Sequence, residues 1–375
     1  MKKIFSLSLA LCALFPLAAN AQKEESNSMI INLKTGESVE YVLSDIQNIV
    51  FRPTGQAPQG DNITIAIPTN FSTGWVQKVM VDGKQVAEVC REYINAIKAQ
   101  RDVVYLCGED GRADLSKGLT TLGETVEWNL ETNVATVTGT KGEAAASSVY
   151  INNGELSLTA GTESKDASVQ PDVISDRRGT ELNTYLIVKI GTQYWMAENL
   201  RATKYADGSA ITALSESQAD EWKANTTGAY LTDAEADWVK IAGYLYNGYC
   251  VTNEKGIAPA GWAVPTRDDL VKLRTAGGIL ATNFKDSAPG TWSTGTEGIN
   301  LNGFMAVATG YYSTATNLTA MFSDAYFWSS TLYTDWLKKT ALETFRINGA
   351  AKNVVVSNEA GHDLLFGHSI RCIRK

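Results

Sequence analysis

The chain holds two histidines, His362 and His368, both close to its C-terminal end. A Ser-His-Asp hydrolase would need one of them oriented by a carboxylate. Asp363 adjoins His362, but neighbouring side chains on a strand point to opposite faces. Two surface or loop histidines are the simpler reading. Two imidazoles and a carboxylate could ligate zinc, yet this histidine spacing fits no helical or strand ligand pattern. No C-x-x-C occurs, so neither a zinc knuckle nor a redox pair is supported. No acidic loop shows the ligand spacing of a calcium site. The residues therefore predict no catalytic side chain, no metal and no cofactor: a protein that is not an enzyme. Aromatic side chains are the better candidates for binding. Trp292, Tyr311, Tyr312, Tyr333 and Trp336 lie in Gly/Ser/Thr-rich stretches. Exposed rings stack on sugars or anchor protein contacts, and loops carry function more often than cores. Each ring has the alternative of packing beneath a long loop.

These candidates must reach their compartment before they bind anything. Met1-Lys2-Lys3, the apolar run Ile4 to Leu17 and Ala19-Asn20-Ala21 read as a basic n-region, an h-region and a small-x-small cleavage site. Residues 1–21 are thus expected to be a signal peptide. Leu11 before Cys12 argues against a lipid anchor, since a lipobox needs a small residue there. Export to the periplasm, the outer surface or the medium is expected. No later stretch approaches the roughly 20 apolar residues of a span, so no transmembrane segment is expected after signal cleavage. A formal charge of −8 and a pI near 5.0 argue against nucleic acid, whose phosphates need a basic face. Past the signal, Cys90, Cys107, Cys250 and Cys372 could form disulfides in an oxidising compartment. A Cys90–Cys107 bridge would contribute about 3 kcal/mol; the alternative is two buried thiols that pack as small hydrophobes.

Length allows two domains beyond the leader. Residues 22–60 read as a short β-hairpin segment and linker, with apolar runs flanking Lys34-Thr35-Gly36-Glu37 and a Pro/Gly/Gln stretch from Pro53. Residues 61–167 read as a β-rich α+β domain with strands at Ile63 to Ile67, Val76 to Val81, Val103 to Leu106 and Val134 to Thr138. Cys90, Tyr93, Ile94 and Ile97 recur at helical spacing and predict one helix there. Residues 168–179, rich in Ser, Asp and Arg without apolar period, read as a second linker. From 180 to 375 most of the Trp and Tyr appear, among many Gly. Short helices are expected at Ser215 to Ala224 and at Arg267 to Thr275, the latter introduced by Pro265-Thr266.

This last region resembles the Fibrobacter succinogenes major paralogous domain. Val188-Lys189-Ile190-Gly191-Thr192-Gln193-Tyr194-Trp195-Met196-Ala197-Glu198-Asn199-Leu200 looks like its opening signature. Tyr205-Ala206-Asp207-Gly208, Gly243-Tyr244-Leu245-Tyr246, Gly261-Trp262-Ala263-Val264-Pro265-Thr266, Trp328-Ser329-Ser330-Thr331 and Ser369-Ile370-Arg371-Cys372-Ile373 follow in the family's order. The resemblance implies an exported or surface protein of the Bacteroidetes type. It also implies an α+β, loop-rich fold similar to C-type lectin-like and formylglycine-generating-enzyme-like domains, here preceded by a smaller β-rich domain. Where members often place Cys, this chain has Ala258, so a Cys250–Cys372 bridge is possible but not implied. Trp195, Trp262 and Trp328 read as core aromatics. Asn199, Ser329 and Arg371 read as side chains that satisfy loop backbone from inside, and Pro265 as part of the same structural motif. Gln170-Pro171-Asp172 looks like a lectin calcium triplet, but it precedes the domain and has no Trp-Asn-Asp partner. The expectation is a non-catalytic, lectin-like binding domain with a glycan or surface protein as partner. The alternatives are a structural, adhesin or appendage component, marked by an open strand edge, and a polysaccharide-acting enzyme, marked by facing carboxylates.

Overall fold

Two short strands, Ser28–Asn32 and Ser38–Val42, pair antiparallel with Ile30 opposite Glu40, as the hairpin pattern predicts. They belong to a first unit, Met1–Gly60; everything below concerns the second, Asp61–Lys375. The computed structural model describes residues 28–32, 38–42, 62–67, 75–139, 146–162, 164–334, 338–357 and 362–375. The expected leader and the first linker lie outside them.

The first half of the second unit is a β-sandwich. One sheet runs in the order Glu155–Ser157, Ser148–Asn152, Ile63–Ala66, Lys165–Asp166. The other is a seven-stranded sheet: Ser168–Pro171, Val76–Val81, Lys84–Ile94, Ala99–Cys107, Ala113–Thr120, Thr125–Asn129, Val134–Thr138. Ile63, Ile65, Val149 and Ile151 pack against Val79, Ala87, Val89 and Val104 to fill the space between the sheets. The opposite face of the seven-stranded sheet is buried too. Val76, Cys90, Ile94, Val103, Tyr105 and Trp128 share a core with Tyr185, Ile187, Met196, Tyr246 and Trp328 of the second half. One sheet thus serves two hydrophobic cores.

That double burial overturns the expected helix. Cys90 and Ile94 lie on the strand Lys84–Ile94, which pairs with Ala99–Cys107 from Ala87 opposite Leu106 to Ile94 opposite Ala99. A strand buried on both faces loses its period-2 alternation, and the residual apolar spacing mimics a helix. The linker expected at 168–179 is likewise two strands, Ser168–Pro171 and Val173–Arg178. Fold class changes accordingly: 46% strand against 12% helix makes this a mostly β protein with a few short helices, not α+β. The helices Ala219–Ala224 and Arg267–Gly277 form where expected. Thr266 caps the second: its hydroxyl accepts from Asp269 N, and the Asp269 carboxylate accepts from Thr266 N. None of the described helices is long and apolar enough to cross a membrane.

The second half adds a five-stranded sheet ordered Val173–Arg178, Glu181–Ile190, Gln193–Met196, Ile373–Arg374, Trp262–Ala263. A six-stranded sheet and the antiparallel Asp324–Thr334, Thr340–Asn348 and Val355–Ser357 complete it. The first and last motifs meet here, Trp195 opposite Ile373.

Among the described residues, Cys90, Cys107, Cys250 and Cys372 are all free. Cys90 stands opposite Val103, so Cys107 lies four residues further along the neighbouring strand, about 13 Å at 3.3 Å per residue. A disulfide needs Cα atoms within about 7 Å. Cys250 donates its thiol to the Ala229 carbonyl at 3.4 Å, and burial pushes Cys250 and Cys372 up to about 12. These are core thiols, and neither proposed bridge forms.

Candidate functional site

Two of the five aromatics are buried. Trp292 is 2% exposed, donates Nε1 to the Ala306 carbonyl at 2.7 Å and carries Lys285 Nζ 4.6 Å from its ring. Tyr312 is fully buried, edge-on to Trp222 at 4.7 Å. Tyr311 is half-buried within 5.8 Å of Tyr326, His362 and Phe366. Tyr333 is half-buried on the strand Asp324–Thr334, and Trp336 lies outside the described residues. The structure does not gather the four described ones into one surface.

His368 is neither a surface nor a loop histidine. His368 is fully buried, stacked on Tyr326 at 5.2 Å and edge-on to Trp328 at 4.2 Å, with neither ring nitrogen hydrogen-bonded. His362 stacks on Phe366 at 4.1 Å. Burial holds His362 down at about 4 and His368 well below the usual imidazole range. Asp363 accepts from Lys339 at 3.1 Å and from Leu365 N at 3.0 Å, so it orients neither imidazole. Among the described residues no group of three or more His, Cys, Asp or Glu is placed to hold a metal.

The motif residues form a buried polar spine. Arg371 donates Nε and Nη2 to Asn199 Oδ1 at 3.1 and 2.5 Å, and Nη1 to the Phe304 carbonyl. Asn199 donates Nδ2 to the Ala242 carbonyl at 2.7 Å and to Ser369 Oγ at 3.2 Å. The Ser369 and Thr309 hydroxyls lie 3.0 Å apart. Trp328 donates Nε1 to the Tyr246 carbonyl, Trp195 to Gln193, while Ser329 Oγ accepts from Thr331 N and the Pro265 carbonyl from Ser330 N. Trp262 is 8% exposed, 5.6 Å from the Arg374 guanidinium. The motif residues Trp195, Asn199, Trp262, Pro265, Trp328, Ser329 and Arg371 are all buried.

Above this spine lies a cleft of about 290 Å³. Its floor includes Ala242, Gly243, Tyr244, Leu245 and Thr309, the residues the spine holds or adjoins. Gly243 has φ +69°, and an added Cβ would stand 2.7 Å from both Asn199 Cβ and the Leu200 carbonyl oxygen. Only glycine lets the helix Ala236–Ala242 end so close to Asn199. That helix carries Trp238 into one wall. Met321 and Phe322 line the cleft as well, and the Trp238 and Phe322 rings pack on each other, 5.4 Å apart at 56°.

Phe322 is held in place against its own preference. It has φ +62° and Ala320 has φ +61°, a region costly for residues with a Cβ. Its N–H donates to the Ala308 carbonyl at 2.9 Å, and its carbonyl accepts from Ser293 N at 2.7 Å and Ser293 Oγ at 2.9 Å. Three bonds fix a strained residue so that its ring stays 39% exposed. Glu216, Asp233 and Glu235 form the rim, and no Lys or Arg lines the cleft. Glu216 Oε2 accepts from Leu318 N at 3.2 Å and Asp233 Oδ2 from Glu216 N at 2.6 Å. An apolar pair of rings with carboxylates at its edge can stack on a ring-shaped ligand and accept its polar hydrogens.

Sequence reasoning missed Trp238, Phe322 and the three acids. Asp233-Ala234-Glu235-Ala236-Asp237-Trp238 does hold a signal, acids crowding a helix start, but the helix is too short to show a period. Compared with known proteins, residues 188–374 match the profile of the Fibrobacter succinogenes major domain. No curated protein matches, and no solved structure does.

Proposed function

Residues 188–374 belong to the Fibrobacter succinogenes major domain family, and from that premise we propose that the chain is an exported, non-catalytic binding protein that recognises glycan through the Trp238–Phe322 cleft. The observation that carries the reading is the strained, triply bonded Phe322, which keeps an aromatic ring at the surface beside Trp238. Strain held by surrounding bonds is a mark of ligand sites. Saccharide rings offer apolar C–H faces to aromatic rings and hydroxyls to carboxylates, which matches the walls and rim. The basic and apolar leader pattern of residues 1–21 supports export, and with it a ligand outside the cytoplasm. A glycan array probed with the mature chain tests this. Selective binding that disappears in Trp238→Ala and in Phe322→Ala is expected. Binding unchanged in both variants, or none to any glycan, refutes the site.

A further inference from the structure

The cleft's charge narrows its ligand. Glu216, Asp233 and Glu235 converge on it with no basic residue among its lining. Glu216 and Asp233 each commit one oxygen to a backbone N–H; their other oxygens and both of Glu235 have no partner among the described residues. Next to this wall, the Tyr312 hydroxyl is buried and unbonded, its pKa raised by burial and then by the charges of Glu216 and Asp233. The rings do not lie flat as a single platform. Trp238 and Phe322 pack on each other at 5.4 Å and 56°, a tilted pair both of whose members line the cleft. An aromatic pair beside carboxylates attracts a cation by the ring quadrupoles and by plain charge. The same arrangement repels carboxylate and sulfate groups.

We infer that the cleft selects a protonated amine carried on a saccharide ring, a hexosamine in preference to its N-acetylated or acidic counterparts. This rests on the glycan reading of the same cleft. The volume of about 290 Å³ is at the small end for ligand clefts and admits one ring, not a polymer segment. The amine seats beside the aromatic pair, its protons directed to the carboxylates; the ring's apolar face lies against Leu231, Leu245, Leu318 and Met321.

Glucosamine oligosaccharides, the same oligosaccharides N-acetylated, galacturonate oligosaccharides and a lysine tetrapeptide form the test series, each titrated by calorimetry into the mature chain. Glucosamine oligosaccharides should bind about tenfold more tightly than the acetylated set, the combined size of a cation–π contact and two exposed ion pairs. The preference should weaken with salt and vanish in Asp233→Asn/Glu235→Gln, both sites being exposed, while the melting temperature stays unchanged. Equal binding of the acetylated and free-amine sets overturns the amine inference and leaves the glycan reading standing. Tighter binding of the lysine peptide than of any sugar overturns the saccharide part. No binding by any member overturns both.

Discussion

Lys189 is the residue whose loss should expose how the two halves are joined. Its Nζ lies 2.6 Å from Glu92 Oε1, and both side chains are fully buried. The ammonium also donates to the Gly191 carbonyl at 2.5 Å and lies 5.0 Å and 4.7 Å from the Tyr105 and Trp128 ring centres. Glu92 Oε2 accepts from Trp128 Nε1 at 3.0 Å. Lys189→Met keeps the stem and removes the charge, which leaves a carboxylate at 0% side-chain exposure without its cation. Removing one partner of a buried pair costs about 3–5 kcal/mol. Burial already raises the Glu92 pKa above 4.5, and Lys189 is the largest influence holding it down. With a raised pKa the folded state binds more protons than the unfolded chain, so stability from this group falls as pH rises through the folded value. The variant's deficit should therefore be greatest near neutral pH and shrink toward pH 4.5. Urea unfolding followed by tryptophan fluorescence, at both pH values, measures it. Lys189→Met/Glu92→Leu should recover most of the loss, because an apolar pair replaces an ion pair nearly neutrally. A loss below about 1 kcal/mol near neutral pH, or a double variant no better than the single, refutes the reasoning.

Two further predictions follow from the spine and the histidine stack. Asn199→Ala strips a buried partner from both Arg371 and the Ala242 carbonyl; it should cost about 2–4 kcal/mol in urea unfolding and abolish ligand binding at the cleft, and a stable variant that still binds refutes the spine's role. His362 at about 4 and His368 well below 6.5 are depressed bases, so their contribution to stability is present above pH 6.5 and is lost as pH falls toward 4. Circular-dichroism melts across that range should show His368→Phe, which keeps the stack on Tyr326 and Trp328, unfolding at a lower pH than the parent; an unchanged acid midpoint counts against it.

Much of the local structure was readable. Val76–Val81 and Val134–Thr138 are strands to the residue, because each adjoins turn residues legible in the sequence, Asp82-Gly83 and Asn133. The capped helix at Thr266 was readable for the same reason: its signal is local. What failed depended on partners far away in the chain. Lys84–Ile94 looked helical because the second half covers its other face. Val173–Arg178 looked like linker because its inward residues include Asp176 and Arg178, which pair with each other at 2.9 Å and are buried. Asp172, beside them, bonds Lys78 at 3.0 Å and Arg374 at 2.6 Å. Charges that read as solvated were internal. The aromatics failed likewise: Trp292 lies in a Gly/Ser/Thr-rich stretch but is buried, and Tyr312 is on the strand Tyr311–Ser313, packed in a core with Trp222.

The residues that carry the family resemblance and the residues that would touch a ligand are nearly disjoint sets. Trp195, Asn199, Trp262, Trp328 and Arg371 are buried and occupied with backbone and with one another. Gly243, Tyr244 and Leu245 alone among the quoted motifs reach the cleft. Trp238, Phe322, Asp233 and Glu235 all stand outside the motifs, on a short helix and on loops. Such a division lets one frame hold a cleft in place while its walls vary, since exposed loop substitutions cost little stability and core ones a great deal. It follows that the family match over residues 188–374 speaks to the frame of that region and not to a ligand. The ligand must be argued from the ring pair and the acidic rim of this chain alone, and the charge of that rim is what a binding experiment should vary first.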